Sequence, residues 1–143
     1  MERRKFIKQS CSICLLGMAG VMIPGLLQPA AAKGKKAYKA ICNANNEVIV
    51  PLSLFEESNI QVISVKGWDY DMAVYRKEDQ TFSVFLLKCT HMDNPIHLSA
   101  EGFVCSLHGS TYNKDGQVSK GPAEQALQQY KGNIHEEHLI ITP

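Results

Sequence analysis

Apolar and polar residues alternate in short runs along most of the chain beyond Lys33. The runs EVIVPLSLF (Glu47 to Phe55), IQVISV (Ile60 to Val65), MAVYRK (Met72 to Lys77) and TFSVFLLK (Thr81 to Lys88) are rich in β-branched and aromatic residues. Such side chains suit the half-buried face of a pleated strand. The intervening EESN, KGWDYD and KEDQ carry turn chemistry. Pro51 has no N–H to give to a ladder, so the first run is an edge strand or is interrupted there. Strand patterns return at LQQYK and HLIIT. From Lys88 to Ala123 the chain turns to Gly, Pro, Asn, Ser and Cys and reads as loops. No helical period is sustained and no repeat is present. The pattern predicts a small antiparallel β domain with a loop-rich insertion between Lys88 and Gly121.

The first residues break this pattern. MERRKFIKQS is basic, no charged residue follows between Lys8 and Lys33, and the segment ends in the small residues Ala30, Ala31 and Ala32. Arg3-Arg4-Lys5-Phe6-Ile7-Lys8 resembles a twin-arginine export signal, with Glu2 where Ser or Thr is more usual. Cys11 to Leu27 is slightly shorter than the roughly 20 residues that span a bilayer. Both a cleaved signal and a retained membrane anchor fit 1–32, and both place the remaining chain outside the cytoplasm. That resemblance implies export of a folded protein that acquired its cofactor first. The expected organisation is 1–32 as signal or anchor, 33–46 as linker and first strand, and 47–143 as one domain with its functional loops at 88–123.

Length and composition add bounds. A chain of 143 residues, 45% hydrophobic and 20% charged, is sized for one compact domain. Its formal net charge of +1 gives no electrostatic ground for a nucleic-acid partner. Of the five cysteines, Cys11 and Cys14 sit inside the apolar leader. Cys42 reads as a small buried hydrophobe on the first strand. Cys89 and Cys105 stand close to histidines, which a structural disulfide has no use for.

Cys89-x-His91 and Cys105-x-x-His108 offer two thiolates and two imidazoles across a spacer of 92–104. Zinc accepts such a set tetrahedrally. Each segment, however, supplies one sulfur and one nitrogen. That mixture also suits a two-iron cluster in which one iron takes both sulfurs and the other both nitrogens. The other histidines are weaker candidates. His135 and His138 lack the spacing of a zinc-protease helix and read as a polar hairpin, and His97 reads as solvated. Trp68 and Tyr70 read as core or turn aromatics.

The sequence CTH…CSLHGS resembles the ligand motif of Rieske iron–sulfur proteins, and the likeness runs from about Thr81 to Ile141. Gly109-Ser110-Thr111-Tyr112 resembles the Gly-Ser-x-Tyr segment of the high-potential members. DGQVSKGPA, Asp115 to Ala123, resembles the turn, strand and proline loop that follow. The resemblance implies an all-β, antiparallel Rieske-type sandwich or barrel with a loop-rich cluster-binding subdomain. It implies one 2Fe-2S cluster per chain, held by Cys89, His91, Cys105 and His108. Ser110 and Tyr112 would donate hydrogen bonds that raise its potential, and Gly121 and Pro122 would cover one side. The respiratory members carry a further cysteine in each loop, joined as a disulfide. Asn94 and Leu107 occupy those places, so packing and hydrogen bonds must hold the loops.

The implied role is one-electron transfer in the cell envelope, on the periplasmic side, with no catalytic activity of the chain's own. It would act as a carrier or as the small subunit of a larger oxidoreductase. The redox partner protein would belong to a membrane quinol-oxidising complex or a molybdenum oxidoreductase, donor and acceptor both unidentified. A ferredoxin-type partner of an oxygenase and a structural zinc domain are the rival readings.

Overall fold

The computed structural model describes residues 36–143. The segment read as signal or anchor, with Cys11 and Cys14, lies outside the described residues. Eleven strands follow in order: β1 (Tyr38–Ala40), β2 (Val48–Pro51), β3 (Ile60–Val65), β4 (Met72–Arg76), β5 (Phe82–Leu86), β6 (His97–Ser99), β7 (Gly102–Val104), β8 (Thr111–Asn113), β9 (Val118–Lys120), β10 (Gln129–His135) and β11 (His138–Thr142). Seven form one sheet in the order β1-β3-β4-β5-β10-β11-β2, and β6 to β9 form a second sheet in sequence order. Cys42, just past β1, bridges Val48 of β2, so the large sheet curls until its two edges nearly meet.

Each strand run follows from its alternation. Val48, Val50, Ile63, Val65, Met72, Val74, Val84, Leu86, Leu139 and Ile141 all face the barrel interior and are buried there with Phe55. Strand β5 is different, because its apolar run continues through Phe85 and Leu87. Those two residues, with Ala73 of β4, face the opposite way and pack with Ile96, Phe103, Tyr112, Ala123 and Leu127. Burial on both faces is what an unbroken apolar run requires. The Phe85 and Phe103 rings meet edge to face, 5.6 Å between centroids. Strands β4 and β5 therefore serve two cores, and the second core carries the 88–123 segment.

The structure departs from the pattern-based expectation in two places. The 88–123 segment is not loop throughout, because β6 to β9 each span three residues. Strands that short show no alternation against a polar background. The run from Glu47 behaves as Pro51 implied: it is an edge strand that ends there, and Leu52–Phe55 forms a 3-10 turn that buries Phe55. Finally, β1 pairs with β3 in parallel, while every other strand pair is antiparallel. The connection through β2 and the turn is long enough for such a crossover.

Gly102 opens β7 opposite Asn113 of β8. Its φ is +145°, and a Cβ there would overlap the Tyr112 carbonyl oxygen and stand 2.6 Å from the Asn113 carbonyl carbon. Only glycine fits this approach. Gly102→Ala is expected to destabilise the fold by about 2 kcal/mol or more, since strain and backbone overlap add. Urea unfolding of the two proteins checks it.

Candidate metal centre

Strand β5 leads into loop 1 (88–95) and β7 into loop 2 (105–110). Lys88 and Pro95 pair across the base of loop 1. Inside it, the Cys89 N–H donates to the Asn94 carbonyl at 2.8 Å and the Asp93 N–H to the Cys89 carbonyl at 2.9 Å. Asp93 adopts φ +53°, which its short polar side chain tolerates. Loop 2 is built alike. The Cys105 N–H donates to the Ser110 carbonyl at 2.8 Å and the Gly109 N–H to the Cys105 carbonyl at 3.0 Å, with Gly109 at φ +76°.

These loops bring together all four Cys and His residues singled out in the sequence. Cys89 and Cys105 are each 1% exposed, while His91 and His108 stand in solvent. The two imidazole rings lie 5.0 Å apart, nearly perpendicular. All three described cysteines, Cys42 included, are free thiols. Burial pushes the Cys89 thiol up, but the Tyr112 hydroxyl, the His91 and Met92 amides and the Cys105 side chain pull it down. The net shift favours thiolate. Burial, with the neighbouring Cys89, raises the Tyr112 phenol.

Tyr112 is fully buried on β8, its hydroxyl 3.5 Å from Cys89 Sγ. The Thr90 N–H donates to the same hydroxyl at 3.1 Å, and Thr90 Oγ1 lies 3.0 Å from it. Thr90 Oγ1 also donates to the Gln125 carbonyl at 2.7 Å. The only proton of that hydroxyl is thereby used, so Tyr112 must be the donor toward Thr90 or Cys89. Ser110 is likewise buried, and its Oγ accepts the Ala123 N–H at 3.0 Å. The Ser110 hydroxyl also carries one proton that it can donate. Gly121 and Pro122, joined by a cis peptide, are exposed, and Ala123 ties their segment to loop 2.

Several supporting residues escaped the sequence reading. Tyr70 is more than a turn aromatic: its hydroxyl donates to the Asp93 carbonyl at 2.6 Å. Lys88 Nζ sits 5.5 Å from the Tyr70 ring centroid and 3.0 Å from Asp93 Oδ1. Nothing in sequence spacing links residue 70 to loop 1. Thr90 could have been suspected only from its place between Cys89 and His91. Cys42 is half-buried beyond β1, with Sγ 3.5 Å from Asn46 Oδ1, because the strand ends before it. His97 is exposed on β6, His135 and His138 face each other across the β10–β11 turn, and Trp68 packs on Tyr130.

The donor chemistry fits a 2Fe-2S group. A buried sulfur pair and an exposed nitrogen pair stand side by side, with a buried hydroxyl proton still to be placed. Among the described residues no three His, Cys, Asp or Glu side chains close on one ion position.

Comparison with known proteins agrees. The family model of the Rieske 2Fe-2S domain matches residues 49–131. The cytochrome b6-f complex iron-sulfur subunit of Gloeobacter violaceus is 34% identical over 85 residues, covering 57% of this chain and 45% of that subunit. The corresponding subunit of Trichodesmium erythraeum is 26% identical across 99% of this chain and 84% of its own length. This chain thus spans less than half of the first relative. The crystal structure of the plasma membrane Rieske protein PetC3 from the cyanobacterium Synechocystis PCC 6803 superposes with a TM-score of 0.55 at 19% identity. It covers 65% of this chain and 95% of that one, a likeness of fold.

Tyr70→Phe removes the donor to the Asp93 carbonyl while keeping the ring under Lys88. It is expected to lower stability by about 1 kcal/mol. Faster amide exchange should be confined to loop 1, which hydrogen-exchange mass spectrometry reads directly.

Proposed function

From the chain's membership of the Rieske 2Fe-2S domain family, we propose that it transfers single electrons through one cluster bound by Cys89, His91, Cys105 and His108. When bound, the cluster would supply a one-electron ferric/ferrous couple. The observation that carries this reading is the division of the site, with both thiols buried and both imidazoles exposed. Cys89 and Cys105 hold the inner side away from water. His91 and His108 present their rings to a partner. Met92 and Leu107, 61% and 55% exposed beside those histidines, offer an apolar rim for docking.

The chain's own donors set the energy of that couple. Ser110 and Tyr112 each carry a hydroxyl proton to donate, and a donor at the cluster offsets the negative charge gained on reduction. The segment at Gly121 and Pro122 covers one side, a role supported by the Ala123–Ser110 bond. The relatives are subunits of cytochrome b6-f complexes. This supports a redox partner within a quinol-oxidising complex over an oxygenase. A location on the outer side of the cell envelope rests on the arginine pair and apolar run in 1–32, acting as export signal or anchor.

Voltammetry tests the central reading. Ser110→Ala and Tyr112→Phe should each lower the midpoint potential. A hydrogen bond to a charged group contributes about 1.5–3 kcal/mol, and only its difference between oxidation states counts. A difference of about 1 kcal/mol corresponds to about 40 mV for one electron. Unmoved potentials in both variants would remove these hydroxyls from the site. For location, Arg3→Lys with Arg4→Lys should leave the loaded protein in the cytoplasm. Unchanged envelope fractionation of that double variant would contradict the export route.

A further inference from the structure

Loops 1 and 2 repeat one backbone pattern. In each, the cysteine N–H donates to the carbonyl five residues on, and the residue four on donates back to the cysteine carbonyl. The residue four on, Asp93 or Gly109, has positive φ in both. This repeat makes Asn94 the counterpart of Ser110. Each stands five residues after a cysteine, and each carries a polar side chain.

The Asn94 amide nitrogen lies 3.1 Å from the Pro95 carbonyl oxygen and 3.9 Å from Cys105 Sγ. A carbonyl can only accept, and a thiolate accepts as well, so the NH2 end of the amide must face them. Its two N–H groups then match two acceptors. The contact with Cys105 crosses from loop 1 to loop 2. Tyr112 reaches the other sulfur, Cys89, from β8. Each cysteine sulfur thus has a polar side chain within reach from outside its own loop, Tyr112 at Cys89 and Asn94 at Cys105.

We propose that Asn94 donates its amide N–H to the Cys105 sulfur, tuning the cluster's potential and tying the two loops together. This rests on the reading that Cys105 is an iron ligand. A donor to that sulfur stabilises the state in which the sulfur carries more negative charge, the reduced one. Cys105 otherwise has no side-chain donor among the described residues, so the effect of Asn94 should be separable from that of Tyr112.

The test is the midpoint potential of Asn94→Leu and Asn94→Asp, each with iron and acid-labile sulfide measured on the same sample. Asn94→Leu removes the donor at similar size. Asn94→Asp keeps the shape and substitutes an acceptor. Loaded variants should show a lowered potential, with Asn94→Asp lower than Asn94→Leu. Each shift should persist in a Tyr112→Phe background. Loaded variants with the wild-type potential, even if they lose their colour faster, would overturn the proposal and leave Asn94 a merely structural residue. If neither variant holds its cluster, pulsed EPR of reduced wild type labelled with side-chain 15N-asparagine decides. A weak 15N coupling upholds the donation, and its absence overturns it. Wild type lacking iron and sulfide would instead overturn the ligand reading, and this inference with it.

Discussion

Burial of β5 on both faces is the constraint on which the rest of the structure depends. Val84 and Leu86 fill the barrel, while Phe85 and Leu87 fill the second core. Cys89 follows two residues after Leu87, so the direction of its side chain is fixed by packing that is already complete. The Leu87 N–H bonds the Asp71 carbonyl at 2.8 Å and the Ile96 N–H bonds the Leu87 carbonyl at 3.2 Å. Loop 1 therefore leaves and returns at one well-held point. Gly116 sits against the other side of Phe85, where a Cβ would come 2.7 Å from the ring. The chain on both sides of the site is packed around the same phenylalanine.

From that base the two loops achieve by hydrogen bonds what a covalent tie would otherwise do. Tyr70 and Lys88 hold Asp93 from the barrel side. Thr90 joins Tyr112 to the Gln125 segment. The Lys88–Asp93 pair is largely solvated and contributes little by itself. The buried bonds around Tyr112 and Ser110 matter more, because breaking one there leaves a polar group without water to replace its partner.

Legibility in the sequence tracked the range of the interactions. The strands β3, β4, β5 and β11 were readable because each alternates or is continuously apolar over at least five residues. The small sheet was hidden because its strands are three residues long, each too short to show a period, with Phe103 and Tyr112 as their fully buried large anchors. The four Cys and His positions stood out because two reactive residue types recur together within three residues. What holds them did not. Tyr70 meets Asp93 across 23 positions and Thr90 meets Gln125 across 35, and no local pattern encodes such pairs. Asn94 was visible only as the residue standing where the family's respiratory members have a cysteine. Its bond to Cys105 needed the fold.

The central claim is that one iron is bound by the buried thiolates and the other by the exposed imidazoles. Mössbauer spectroscopy of 57Fe-enriched, purified protein tests this most directly, since it reads each iron separately. In the oxidised protein the account predicts two ferric sites with distinct parameters, reflecting sulfur and nitrogen ligation. On one-electron reduction, the nitrogen-bound site alone should become ferrous. A single mononuclear iron site, two equivalent irons, or no bound iron with stoichiometric zinc in its place would contradict it.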